Sequence, residues 1–236
     1  MNIKCLTAFA AILLVVANGR GQGFVNLDFE AANVSAFPPG TVPRGLGLPG
    51  WAAYISGTPQ TTILYDNATL GEAAIALQGP NGFFQPIQGQ YFVLLEATFF
   101  ASDTNSAAIG QTGQVPLTAQ SLVFWGNTSV SGVANNMEVT FNGSLVPYAA
   151  IGSGNNYTIY GANVSGFAGQ TGELRFTAFN NTRAEIDNMQ FSSLPVPEPS
   201  GLALVVLAAA LFGLRRWENQ SKSVSASLSP CMHHAH

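Results

Sequence analysis

Hydrophobic and polar residues alternate in short runs through the middle of this chain. Phe24–Glu30 (FVNLDFE) sets Val25, Leu27 and Phe29 against Asn26, Asp28 and Glu30. Met137–Phe141 puts Met137, Val139 and Phe141 on one side, and Glu173–Phe179 alternates Leu174, Phe176 and Ala178 with Glu173, Arg175 and Thr177. A period of two is the signature of a strand with one buried face. Further strands are predicted at Trp51–Ser56, Thr61–Tyr65, Ala73–Gln78, Gly82–Pro86, Leu122–Trp125 and Tyr157–Tyr160. Tyr91–Leu95 (YFVLL) is apolar throughout and predicts a strand covered on both faces. Ala184–Phe191 breaks its own alternation, because Ile186 fits one face while Met189 and Phe191 fit the other. A bulge near Asp187-Asn188 reconciles them. Asn142-Gly143 predicts a tight hairpin turn.

Roughly ten strands separated by Gly, Pro and Asn clusters, with few helix formers, predict an all-β sandwich, best as a two-sheet jelly roll. A repeat solenoid ranks lower, since no fixed period is present.

The ends follow another pattern. Met1–Gly21 has Lys4, an apolar run Leu6–Ala17 and a small-residue exit, which predicts a secretory signal helix. The sandwich domain is then expected over 22–192. A proline-broken linker, 193–200, precedes Gly201–Leu214, which is apolar apart from its glycines, and Arg215, Arg216 and Trp217 close that segment. A membrane helix is predicted over 201–217. Its 14-residue apolar run is short beside the ~20 residues a span needs, and flanking residues extend it. The paired arginines predict a cytoplasmic end, with the domain outside. Residues 218–236 form a polar tail whose Cys231, His233, His234 and His236 read as frayed chain before they read as a soft-metal set.

Charge narrows the function. Removing Glu198 and Glu218 from the 12 acids leaves ten in the domain, and removing Lys4, Arg20, Arg215, Arg216 and Lys222 from the 8 basic residues leaves Arg44, Arg175 and Arg183. Such a surface repels phosphate backbones, so no nucleic-acid partner is expected. Both cysteines and all three histidines lie outside the domain. That excludes a stabilising disulfide within it, Ser/His/Asp and Cys/His catalysis, and His-ligated metals.

Val196-Pro197-Glu198-Pro199-Ser200, an apolar helix and Arg215-Arg216, in this order, resemble the PEP-CTERM sorting signal of exported bacterial proteins. The resemblance covers about the last 40 residues. It implies processing by an exosortase-type enzyme, membrane contact through the helix, and placement at the cell envelope or in exopolysaccharide matrix. The same C-terminal region occurs on some ice-binding proteins. The chain runs 19 residues past Trp217, whereas the family signal usually ends just after the arginines. Asn26–Glu30 (NLDFE) followed by Gly50-Trp51 is similar to the opening of many carbohydrate-binding modules, and Ile186-Asp187-Asn188 to their closing strand. This implies a galactose-binding-like sandwich with first and last strands side by side. It also implies Glu30 and Asp187 as ligands of a structural Ca²⁺; oxygen donors of this kind suit calcium.

Sugar C–H faces stack on aromatic rings, so Trp51, Tyr54, Trp125, Tyr148, Tyr157 and Tyr160 are the candidate platform. Trp51, after Pro49-Gly50, reads as a core plug, whereas Tyr157 and Tyr160, beside Asn155-Asn156, read as loop-edge ligand contacts. The expected function is a non-catalytic, exported surface or matrix protein whose sandwich binds carbohydrate. Two alternatives stand beside it: a structural matrix component without a ligand, and a glycoside hydrolase using paired carboxylates.

Overall fold

The structure, a computed structural model, describes residues 23–82, 84–97, 105–128 and 137–196. The expected signal helix, the sorting residues Pro197, Glu198, Pro199, Ser200, Arg215 and Arg216, the membrane helix and the tail lie outside them. Among the described residues no helix is long and apolar enough to cross a membrane.

Among the described residues, fourteen strands form two sheets. They are β1 (Gly40–Pro43), β2 (Ala52–Ile55), β3 (Thr58–Pro59), β4 (Thr62–Tyr65), β5 (Ala74–Gln78), β6 (Phe92–Glu96) and β7 (Ala107–Gln114). Then follow β8 (Ser121–Thr128), β9 (Met137–Phe141), β10 (Ser144–Leu145), β11 (Tyr148–Ser153), β12 (Thr158–Asn163), β13 (Thr171–Ala178) and β14 (Arg183–Ser192). The eight-stranded sheet runs β1-β4-β5-β6-β14-β8-β12-β11, and the six-stranded sheet runs β10-β9-β13-β7-β2-β3. Among the described residues, helix is confined to single turns at Arg44–Gly47 and Ser165–Phe167. The protein is an all-β sandwich, as its alternation predicts.

The chemistry of the sequence explains the layers. In β13, Leu174, Phe176 and Ala178 turn inward and their polar neighbours outward. Inward residues from both sheets build one core, with Phe124 edge-on to Phe176 at 5.3 Å. Asn142 and Gly143 take φ of 48° and 76° at the β9–β10 turn. Positive φ at both central positions is what a two-residue hairpin turn requires. β6 is buried along its whole length because both its faces are covered. Val93 and Leu95 enter the main core, while Phe92 and Leu94 join Ala76 in a smaller cluster under Leu64, Ala68, Phe84 and Ile87. Phe84 and Ile87 of that cover belong to a strap, the segment ahead of β6. In β14 the pairing with β8 slips between Asp187 and Gln190, and Asn188 takes a φ of 44°. This is the expected bulge, and it returns Met189 to the core.

Two predicted strands are corrected. Phe24–Glu30 alternates but is not a strand, because Asn26 and Phe29 take left-handed φ of 50° and 60°. Its start is held by a side chain: Gln111 accepts from the Val25 N–H at 2.6 Å and donates to the Val25 carbonyl at 2.9 Å. Gly82–Pro86 likewise forms no strand among its described residues.

Candidate functional site

The turn at 26–31 is knotted to the segment before β2 by one asparagine. Asn26 Nδ2 donates to the Pro49 carbonyl at 3.0 Å, and its Oδ1 accepts from the Ala31 N–H at 2.9 Å. Its backbone carbonyl accepts from Trp51 Nε1 at 2.9 Å. Trp51 is therefore fully buried, against Phe29 at 5.7 Å, and is the core plug its position suggests.

The same turn aims Glu30 at the strap. Its Oε1 accepts from the N–H groups of Gln90 at 2.7 Å and Tyr91 at 3.0 Å. Gly89, with φ of 61°, leaves the room this approach needs, since a β-carbon there would run into the Glu30 carboxylate. From the bulge of β14, Asp187 reaches the same strap. Its Oδ2 accepts from the Gln88 N–H at 2.9 Å and its Oδ1 from the Asn188 N–H at 2.6 Å. The Met189 N–H donates to the Leu27 carbonyl at 2.9 Å, so the first segment and the last strand meet. The structure thus brings Glu30 and Asp187 together around residues 88–91. Burial pushes Asp187 up to about 7, with the charges of Glu30 and Asp28 adding to the rise and its two N–H donors opposing it. Three of the four carboxylate oxygens accept from backbone N–H groups. Among the described residues, no three His, Cys, Asp or Glu side chains gather in a metal-holding group.

The outer face of the eight-stranded sheet carries a stacked aromatic pair. Trp125 on β8 lies opposite Asp187 on β14 and Ile159 on β12. Its ring stacks on Tyr157 at 4.6 Å and 11°. Both are half-buried. Gly154 lies so close to the Tyr157 ring that a β-carbon there would collide with it. Tyr157 is thus wedged between Gly154 and Trp125 and fixes the indole in place. Glu185 lies on this face, opposite Asn127 and Leu94. Burial pushes its carboxyl up to about 6, with Arg183 pulling the other way.

The other aromatics are spoken for. Tyr160 is corrected from ligand contact to core: it is 6% exposed, stacked on Phe124 at 5.2 Å and edge-on to Tyr148 at 5.4 Å. The alternation of β12 turns it inward, one position from the outward Ile159. Tyr148 donates its hydroxyl to the Met137 carbonyl at 3.0 Å. The Arg175 guanidinium covers the Tyr54 ring at 4.2 Å. Sequence reasoning left Glu185 unselected and did not separate Trp125 from the other rings. The signal was present in Leu122–Trp125, where Phe124 faces the core and Trp125 must face away. Of the sorting residues, Val196 is described; it is half-buried, and a β-carbon on Gly161 of β12 would lie 3.1 Å from its Cγ1. Compared with known proteins, the chain matches no family model and no curated protein.

Proposed function

We propose that this is an exported, non-catalytic surface or matrix protein that binds carbohydrate on the outer face of its eight-stranded sheet. The observation that carries the reading is the Trp125–Tyr157 stack, half-buried and rigid, with Glu185 on the same sheet face. A fixed ring presents a C–H-accepting surface at little cost in side-chain entropy, and neighbouring carboxyl and amide groups can hold hydroxyls. The jelly-roll assignment is supported by strand order. β6-β14-β8-β12 and β7-β13-β9-β10 are each contiguous, and from β6 onward the chain passes repeatedly between the two sheets. Export, processing by an exosortase-type enzyme and residence at the envelope or in polysaccharide matrix rest on the VPEPS motif, the apolar segment and Arg215-Arg216.

The test is a glycan array probed with the full chain, followed by titration of any hit by tryptophan fluorescence. Trp125→Ala is expected to weaken binding at least tenfold, about 1.4 kcal/mol. Unchanged affinity in that variant, or no hit among the polysaccharides, overturns the reading. A second reading, glycoside hydrolysis, is favoured by one observation: Glu185 and Asp187 both carry raised carboxyls on the face that holds Trp125. Release of reducing sugar that disappears in Glu185→Gln would replace binding with catalysis.

A further inference from the structure

β4 and β5 run parallel, while every other pairing between named strands among the described residues is antiparallel. Their register sets Tyr65 beside Leu77. Asp66 and Gln78, at their carboxyl ends, are therefore delivered to the same edge of the sheet. Asp66 takes a left-handed φ of 45°, and its N–H donates to the Leu77 carbonyl at 3.0 Å. Its Oδ1 accepts from the Gly79 N–H at 2.6 Å, which fastens the turn after β5.

Gln78 is fully buried. Its Nε2 donates to the Asn67 carbonyl at 2.6 Å, which fixes which way the amide points. Oε1 faces away from that bond and has no hydrogen-bond partner among the described residues. A buried amide oxygen in that position calls for a donor or a cation. Its neighbours are oxygens. A β-carbon on Gly82 would lie 2.8 Å from both Gln78 Oε1 and Asp66 Oδ1, and 3.3 Å from the Gly79 carbonyl oxygen. Three oxygens, one of them from a carboxylate, thus crowd the side of Gly82 where a side chain would start.

We propose that Asp66 Oδ1, Gln78 Oε1 and the Gly79 carbonyl oxygen bind a hard cation of the calcium class. Carboxylate, amide and backbone carbonyl oxygens are the donor set this ion prefers, with water completing six to eight ligands. The site sits at the root of the strap that covers Phe92 and Leu94, so the ion fastens that cover to the sheet. It is separate from Glu30 and Asp187, whose oxygens hold residues 88–91.

The experiment is a Ca²⁺ titration of the full chain in detergent micelles, followed by backbone amide NMR and by competition with Tb³⁺ excited through Tyr65 and Tyr91. The proposal expects saturable shifts at Asp66, Gln78, Gly79 and Gly82, and terbium emission that calcium displaces. Asp66→Asn and Gly82→Ala are each expected to weaken calcium at least tenfold, while Glu30→Gln and Asp187→Asn leave it unchanged. Shifts confined to Glu30 and Asp187 overturn it. So does the absence of saturable shifts in the unaltered chain, which would assign the Gln78 oxygen to a water; this readout holds even where a variant does not fold.

Discussion

On its inner face the eight-stranded sheet presents Val93, Leu95, Phe124 and Ile186 to a continuous apolar core. On its outer face the same strands present Phe92, Leu94, Glu96, Trp125, Glu185 and Asp187. The inner face is held by volume: rings at 5 to 6 Å fill the space between sheets, and no directional partner is required. The outer face is held by matching. Glu96, fully buried, accepts from Arg183 Nε at 3.0 Å and from the Thr69 N–H at 2.9 Å. Glu30 and Asp187 likewise hold the strap by its N–H groups. A face built this way can bury carboxylates and still expose one locked ring pair, which a purely apolar face cannot do.

Truncation separates the two rules most sharply. Phe124→Ala opens a void among Tyr148, Tyr160 and Phe176 and is expected to cost about 3–5 kcal/mol in denaturant unfolding. A loss below about 1 kcal/mol would mean the inner face is not close-packed.

The outer face is the one that should respond to pH. Asp187 is raised in the folded state from 3.8 to about 7, so the native chain binds its proton more tightly than the unfolded chain does. Its contribution is complete below about pH 4 and is lost as pH rises to about 7. At 1.36 kcal/mol per pH unit the fall is about 4 kcal/mol at most. Glu185, raised to about 6, slopes the same way. Unfolding curves across this range should show stability falling with pH, and Asp187→Asn should flatten the fall; equal slopes would remove Asp187 as its source.

Smaller effects sharpen the contrast further. Glu96→Gln removes the charge that Arg183 meets and is expected to cost about 2 kcal/mol, less than a fully buried pair because the Arg183 side chain is 28% exposed. Faster hydrogen exchange at Thr69 would accompany it. Trp125→Ala should cost under about 1 kcal/mol while abolishing any sugar response, since half-exposed positions contribute little to stability. A large stability loss there would make Trp125 a packing residue.

Much of this architecture was legible in the residues. The Glu173–Phe179 alternation, the Asn142-Gly143 turn, the doubly covered Tyr91–Leu95 run and the Asp187-Asn188 bulge all follow from local chemistry. Ala107–Gln114 (AAIGQTGQ) escaped because Ala, Gly and Gln give no polar contrast, and its glycines serve close packing. At Gly110 a β-carbon would lie 2.6 Å from Glu173 Oε1. Phe24–Glu30 misled because its alternation is genuine, while the left-handed backbone at Asn26 goes with bonds to Pro49 and Trp51, far along the chain. The site was half legible. Glu30 and Asp187 do converge on one strap, but the partners that define it are backbone N–H groups, which no side-chain pattern records. The Gln78 oxygen depends on the parallel register of β4 and β5, and no local window contains that register.

The two ends of the described chain leave the sandwich together. Gly23 bridges to Gln114, and the Ser121 hydroxyl donates to the Leu194 carbonyl, so entry and exit flank the short connection between β7 and β8. β14, which carries the exit, lies between β6 and β8. Tension applied through the chain beyond Val196 along the strand axis would first reach Gln190–Ser192, paired with β8, and then Ala184–Ile186, paired with both β6 and β8. Such a load is shared in shear across many hydrogen bonds at once, and does not open them one by one.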